Sequence, residues 1–287
     1  IYNHTINDKL ILESTPGGLQ VSVGGAIANN IHGKDCFKNG YFKNNIISLK
    51  LINPQGKLIE YNHLSKEKEF INLFGSMGLL SIVTEVKLKL KNIQSLLLST
   101  ETRKVKDIEE MVDCFNEENL NEYDYAVGWI DCFSKKNIGR GIFRKAKFSQ
   151  NKKEVIIKKM EQNKKFLFLP KNFMISLLSF FYSRLIFKSL NFLIYSFYFN
   201  KKKKIIFNKF IWIDNNFIPD YPLIFAKDGF LTIQPFIPIK EASKNIKRIL
   251  LLCQKFKFEG IFCPIKKYKN HETENSFSFG GNGFSIV

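Results

Sequence analysis

Thr15-Pro16-Gly17-Gly18-Leu19-Gln20-Val21-Ser22-Val23-Gly24-Gly25-Ala26-Ile27-Ala28-Asn29-Asn30-Ile31-His32-Gly33-Lys34 carries five glycines within 17 residues. Such density marks backbone that takes positive φ or approaches a ligand closely. Residues 19–28 read as a short alternating strand, a glycine pair and small apolar residues. Two common nucleotide motifs fail here. A phosphate-binding P-loop needs glycine where Ala28 stands and serine or threonine where Asp35 stands, and no GxGxxG occurs for a dinucleotide turn. Spacing alone also leaves open a set of tight turns in a β-rich unit.

Outward from this stretch, residues 46–52 and 57–61 flank Pro54-Gln55-Gly56 and predict a hairpin, and 81–90 predicts a further strand. Beyond them the order strand, helix, strand occurs twice. Residues 95–102, 106–116 and 123–132 form the first unit, with Ile108, Met111, Val112 and Phe115 on one helix face. Residues 229–237, 240–257 and 260–265 form the second, with Ala242, Ile246, Ile249, Leu250 and Cys253 on one face. The pattern predicts an α+β fold: a mainly antiparallel sheet covered by two helices, separate from a β-rich region that ends near Lys91.

The 287 residues hold 44 Lys and Arg against 26 Asp and Glu, a net charge of +18. Only five of the 44 are arginine, so the excess lacks the bidentate guanidinium that nucleic-acid readers favour, and no nucleic acid is expected as partner. Five cysteines without a CxxC pair and four histidines without an HxxxH pair give no disulfide framework and no metal site. The chain opens Ile-Tyr-Asn-His and reads as a piece beginning inside a longer polypeptide. An apolar insert, 166–204, is cut by Lys171, Arg184 and Lys188 into stretches too short to span a bilayer. Two readings remain for it: a buried helical pair, with burial favoured, or an apolar face touching lipid beside Lys201-Lys202-Lys203-Lys204.

The opening stretch resembles the PG-x-x-x-V-T-V-GGAIA-x-D-x-HGK signature of FAD-linked oxidoreductases, the superfamily that includes vanillyl-alcohol oxidase. It is most similar to the decaprenylphosphoryl-ribose 2-oxidase branch. Further matches follow in order: Asn39-Gly40-Tyr41-Phe42 with Ser48-Leu49, Leu73-Phe74-Gly75-Ser76-Met77-Gly78-Leu79, Trp129-Ile130-Asp131-Cys132, Gly139-Arg140-Gly141, Gly229-Phe230-Leu231 with Gln234, and Ile265-Lys266-Lys267-Tyr268.

The resemblance implies that residues 1–91 are the C-terminal half of a PCMH-type FAD-binding domain. Residues 92–287 are then a substrate, or cap, domain that carries the insert. It implies that Gly17, Gly24, Gly25, Asn29, Ile31, Gly33, Gly78 and Val83 line FAD, and that His32 and Lys34 face flavin and substrate. Gln234 and Lys266 close the site from the cap, Gln234 on a sugar hydroxyl and Lys266 on an anionic oxygen. The implied reaction oxidises a sugar or polyol alcohol, free or lipid-linked, by hydride transfer to flavin N5, with His32 as candidate base. The implied location is cytoplasmic or peripheral at the inner membrane. Some positions depart from the pattern. The family's GGxGLTGII becomes Gly75-Ser76-Met77-Gly78-Leu79-Leu80-Ser81-Ile82-Val83, and its Asn-His-His after the His-Gly-Lys is Asp35-Cys36-Phe37. The family's other phosphate-binding loop has no counterpart here. The alternative reading is therefore a catalytically inactive fragment or subunit of a split flavoprotein, its partner being the missing part of the same polypeptide.

Overall fold

The computed structural model describes residues 1–18, 21–62, 64, 68–150, 155–157, 165–166, 169–180, 183–212, 224, 231–260, 262–271, 278 and 280–287. The short strand expected at the start of residues 19–28 is corrected: 19 and 20 lie outside the described residues, 21 and 22 are irregular, and Val23–Ala28, with the glycine pair, is a helix. Ser22 decides this. Its Oγ accepts the Gly25 amide at 3.1 Å, supplying one of the acceptors that the first turn of a helix lacks. Small apolar residues suit either element, so the cap outweighs the weak alternation.

Ile46–Ile52 is the centre of a three-stranded antiparallel sheet, with Leu58–Asn62 and Ile82–Leu88 at its sides. The hairpin turn closes through Asn53 and Lys57, with Gly56 at φ +75°, a conformation glycine adopts without steric cost. Leu49 and Leu51 point inward against Ala26, Ile27, Phe42 and Phe74. The helix of the glycine-rich stretch is thus pinned to this sheet by its apolar side, leaving its glycine side outward.

The second sheet has seven strands, in the order Lys201–Ile206, Leu97–Val105, Gly141–Phe148, Tyr125–Ile130, Cys263–His271, Gly281–Ile286 and Phe236–Pro238, and every neighbouring pair is antiparallel. Helices Ile108–Asn116 and Ala242–Phe256 cover one face, burying Met111, Phe115, Phe143, Ile246, Ile265 and Phe284. The fold is α+β with antiparallel sheets. The first helix starts at Asp107, whose Oδ1 accepts the Glu110 amide at 2.9 Å, while Glu110 reaches back to the Lys106 amide at 2.7 Å.

Several strands differ from the sequence reading. Only Phe236–Pro238 is regular within 229–237; residues 231–235 are irregular and 229–230 lie outside the described residues. The strand expected at 260–265 runs instead over Cys263–His271, with residue 261 not described. Gly141–Phe148 and Gly281–Ile286 are additional. The charges of Gly141–Phe148 hide its burial. Lys145 is buried because Glu117 at 2.7 Å and Asn119 at 3.0 Å satisfy its ammonium group.

The opposite face of this sheet meets the first unit. Leu98, Tyr125 and Ala146 pack with Phe207, Phe210, Ile211 and Trp212 and with Ile6 and Ile11 from the start of the chain. The insert contains helices Lys171–Phe180 and Arg184–Ser196, bent by 120° to each other. Among the described residues no single helix is long and apolar enough to cross a membrane. The favoured burial reading holds for Ile175 and Phe187, but Phe173, Phe180, Leu185 and Phe197 are exposed. Phe181 lies outside the described residues.

Candidate functional site

His32 is delivered by a tightly held loop. Asn45 accepts the amides of Glu13 at 3.0 Å and Ser14 at 3.4 Å, fixing the approach to the glycine-rich stretch. Asn30 takes φ 41°, a left-handed conformation asparagine tolerates, and its Oδ1 accepts the Lys43 amide at 3.2 Å. The Ile31 carbonyl accepts the Phe42 amide at 2.8 Å, and His32 pairs with Tyr41 in an isolated antiparallel bridge. The imidazole therefore projects from a short clasp rather than from a free loop.

The seven-stranded sheet supplies the groups opposite. Lys266 and Tyr268 are two residues apart on one strand and share a face, and Ser285 stands directly across from Lys266 in the register. Lys266 Nζ lies 3.4 Å from His32 Nδ1, and the Tyr268 hydroxyl lies 3.1 Å from each ring nitrogen. Gln234 Nε2 donates to Ser285 Oγ at 2.8 Å and stands 3.4 Å from His32 Nε2. Tyr268 and Ser285 hydroxyls are 2.9 Å apart. Below them Cys36, Tyr41 and Tyr268 form a buried cluster, with the two tyrosine rings stacked at 5.9 Å.

Desolvation of its ring, and after it the Lys266 charge, hold His32 well below the ordinary imidazole range. The imidazole is neutral near pH 7 and so has a lone pair to receive a proton. Burial pushes the Tyr268 hydroxyl well above its usual range, so it remains a donor. Asp35, fully buried beneath this group, is pushed up to about 7 by desolvation, against opposing hydrogen bonds and the Lys266 charge. The arrangement offers one neutral base, one cation and three neutral hydrogen-bonding groups around a common point. Such a set orients a hydroxyl, takes its proton and stabilises negative charge on oxygen.

Of the residues expected at the catalytic end, His32, Gln234 and Lys266 meet. Lys34 is drawn elsewhere: its buried ammonium donates to the Ile211 carbonyl. Sequence reasoning gave no role to Tyr268, although it stood in a quoted motif, and did not name Ser285. Alternation along Cys263–His271 was the available signal for Tyr268; Ser285 needed the sheet register.

The residues expected to line FAD divide in three. Gly17 and Gly24 have no atom within 4 Å of the place a β-carbon would take, so the chain is open there to an approaching group. Gly25 and Asn29 belong to the same helix region, Asn29 Nδ2 donating to the Gly25 carbonyl at 3.0 Å. The turn at Gly78, with φ +76°, packs beside it, through the Met77 amide on the Ala28 carbonyl at 2.9 Å. Ile31 and Val83 lean on the core of the small sheet. Gly33 has no open side: a β-carbon there would stand 2.3 Å from the Thr15 carbonyl oxygen. Gly17 and Gly24 thus leave backbone open to an approaching group, whereas Gly33 serves the packing of its loop.

A family model described as FAD binding domain matches residues 1–62. The chain is 28% identical over 124 residues to decaprenylphosphoryl-beta-D-ribose oxidase of Mycolicibacterium smegmatis, covering 42% of this chain and 26% of that protein. It is 25% identical over 118 residues to cytokinin dehydrogenase 2 of Arabidopsis thaliana, covering 39% of this chain and 23% of that protein. The matched segments span about a quarter of the length of these relatives. The similarity points to FAD as the cofactor, and the two relatives are by name an oxidase and a dehydrogenase.

Proposed function

We propose that the His32 cluster is the substrate end of an FAD-dependent oxidoreductase that oxidises an alcohol carbon of a sugar or polyol, with a lipid-linked sugar as the preferred form. The observation that carries the reading is the convergence of His32, Gln234 and Lys266 from distant parts of the chain in one polar cluster, with His32 following the open Gly17 and Gly24 in the same stretch of chain. When bound along Gly17, Gly24 and the Gly78 turn, FAD supplies a hydride acceptor at its N5. Neutral His32 receives the hydroxyl proton as the carbinol becomes a carbonyl. Lys266 stabilises the oxygen as it gains negative charge, and Gln234, Tyr268 and Ser285 orient the neighbouring hydroxyls. The name of the mycobacterial relative supports a sugar carried on a polyprenyl phosphate.

The test is to mix protein loaded with oxidised FAD anaerobically with free aldoses, polyols or a polyprenylphosphoryl pentose and to record bleaching of the flavin absorbance as the substrate reduces it. Lys266→Met should slow bleaching by roughly 100-fold with FAD content unchanged. A wild-type rate in that variant would remove Lys266 from the site.

A second reading is favoured by a different observation. Val21, Met77, Leu79, Leu80 and Ile82 are exposed around the glycine-rich helix, and they suit an additional segment, on this polypeptide or another, that completes the flavin unit. Under this reading the 287 residues alone bind FAD weakly. Stoichiometric, tightly held flavin in the isolated chain would eliminate it.

A further inference from the structure

The helix Arg184–Ser196 is amphipathic in the reverse of the usual sense. Its inward stripe, continued by one residue past the helix end, is Phe187, Asn191, Tyr195 and Tyr198, at helical spacing. Phe187 and Asn191 are buried. Tyr195 lies under Arg140 at 4.4 Å and Lys104 at 4.3 Å, and Tyr198 under Lys201 at 4.5 Å and Arg144 at 5.2 Å. Asn191 and the two cation-bound tyrosines thus face the sheet. The outward stripe is mostly apolar: Leu185 is 71% exposed and Phe197 73%, with Leu193 and Phe192 between them, Phe192 also lying under Arg140 at 5.6 Å, and exposed Ser189 and Lys188 interrupting the surface. Helix Lys171–Phe180 also exposes apolar residues at Phe173, Leu177 and Phe180, the last 83% exposed, while Ile175 and Leu178 pack inward. Ordinary surface helices place these stripes the other way round.

Charge fixes what this face meets. Residues 162–213 contain ten Lys and Arg and no Asp or Glu. Four of the ten, Lys201–Lys204, are exposed on the edge strand of the seven-stranded sheet, which begins five residues after the helix ends. Lysines on an edge also discourage strand-to-strand aggregation, and Lys202 has an ion pair with Glu101 at 3.2 Å. That role explains the strand but not the neighbouring apolar stripes. Arg184 is paired to Glu259 and Lys202 to Glu101, but Lys201, Lys203 and Lys204 are exposed beside the apolar surface. A water-facing aliphatic and aromatic surface, set within 52 residues free of any acid, is complementary to an anionic lipid surface, whose headgroups attract the cations and whose acyl boundary takes the apolar side chains. A bend of 120° between the helices suits elements lying in that interface.

We propose that residues 171–204 dock this protein on an anionic membrane, with Phe180, Leu185, Phe192 and Phe197 seated at the headgroup boundary and the lysine strand above it. The inference does not depend on the oxidoreductase reading, because its readout is lipid binding and not turnover. The experiment is flotation of the 287-residue chain with vesicles of phosphatidylcholine alone, or of phosphatidylcholine and phosphatidylglycerol at about 7:3, at low and high salt. Strong binding to the anionic vesicles at low salt is expected, and should fall at least about tenfold on Lys201/Lys203/Lys204→Gln or on Phe180/Leu185/Phe192/Phe197→Ser. All seven side chains are at the surface, and circular dichroism checks that the variants fold. Phe180→Trp gives a second reading: its fluorescence should shift to the blue on binding and be quenched by lipids brominated near the headgroup. Absence of binding at low salt overturns the proposal. Loss with the lysine set alone, or an unquenched tryptophan, reduces the contact to adsorption by a basic protein and overturns it equally. A dimer that dissociates with the serine set and leaves lipid binding unchanged would assign the face to a second copy instead.

Discussion

Lys266 Nζ and His32 Nδ1 stand 3.4 Å apart although 234 residues separate them in the chain. A cation this close to an imidazole opposes its protonation, and desolvation of the ring opposes it more strongly. The folded protein therefore binds fewer protons at His32 than the unfolded chain does below about pH 6.5. Stability should fall as pH drops through that value, and His32→Gln should remove this component of the slope. Denaturant midpoints measured between pH 5 and 8 test it. In Lys266→Met the imidazole, followed by NMR, should titrate at higher pH than in the parent but still below the free value, because the desolvation remains.

Asp35 should act in the opposite direction. Its carboxyl is fully buried, accepts from Ser14 Oγ at 3.1 Å through Oδ2, and leaves Oδ1 without a hydrogen-bond partner among the described residues. With the folded value pushed up from 3.8 to about 7, the folded state holds a proton that the unfolded chain has released. Stability should then decline as pH rises from about 4 to about 7, by at most roughly 4 kcal/mol for a shift of this size. Asp35→Asn should flatten that decline and leave the His32 component in place. A pH profile unchanged by Asp35→Asn would show that the carboxyl is already ionised when folded.

The glycines of one motif should separate by their surroundings. Gly33→Ala would set a methyl group 2.2 Å from Asp35 Oδ1 and 2.3 Å from the Thr15 carbonyl oxygen, and the backbone oxygen has no easy retreat. A loss of at least about 2 kcal/mol is expected, or failure to fold. Gly24→Ala meets nothing within 4 Å and lies inside Val23–Ala28, so thermal stability should hold or rise by up to about 1 kcal/mol. The same methyl group should weaken FAD binding by occupying the open side of the helix. Paired thermal melts and flavin titrations read both effects.

What could be read in the sequence follows from which signals are local. The hairpin around Gly56 and the two helices over the large sheet have strict patterns and turn chemistry, and their elements were legible. Val23–Ala28 was misread because its residues carry no period and the decisive cap, Ser22, was counted as part of a strand. Gly141–Phe148 was missed because Arg144, Lys145 and Lys147 interrupt it, and Glu117 and Asn119, far off in sequence, make Lys145 tolerable inside. At the site, His32 and Lys266 stood in recognisable motifs, whereas Ser285 enters only through its register opposite Lys266. Lys34 shows the converse: motif position marked it for the flavin, yet the Ile211 carbonyl claims its ammonium.

Trp212 should prove to be the fastening between the short helix Phe207–Ile211, which follows the insert, and the glycine-rich stretch. Its indole Nε1 donates to the Pro16 carbonyl at 3.1 Å, and its ring packs edge-on against Tyr2 at 5.1 Å and Phe207 at 5.8 Å. Pro16 immediately precedes the glycine pair, so this bond fixes where the open backbone of Gly17 begins. Trp212→Phe keeps an aromatic ring but leaves the Pro16 carbonyl without this donor. The cost should be about 1–3 kcal/mol, part of it the lost hydrogen bond and part the smaller ring in a buried site. Because the bond lies at the loop, the loss should show locally as well as globally. Hydrogen exchange over residues 15–18 should accelerate more than exchange in Ile46–Ile52, the central strand of the same unit. Equal acceleration in both segments would mean that Trp212 supports the fold as a whole and does not specifically fasten the glycine-rich stretch.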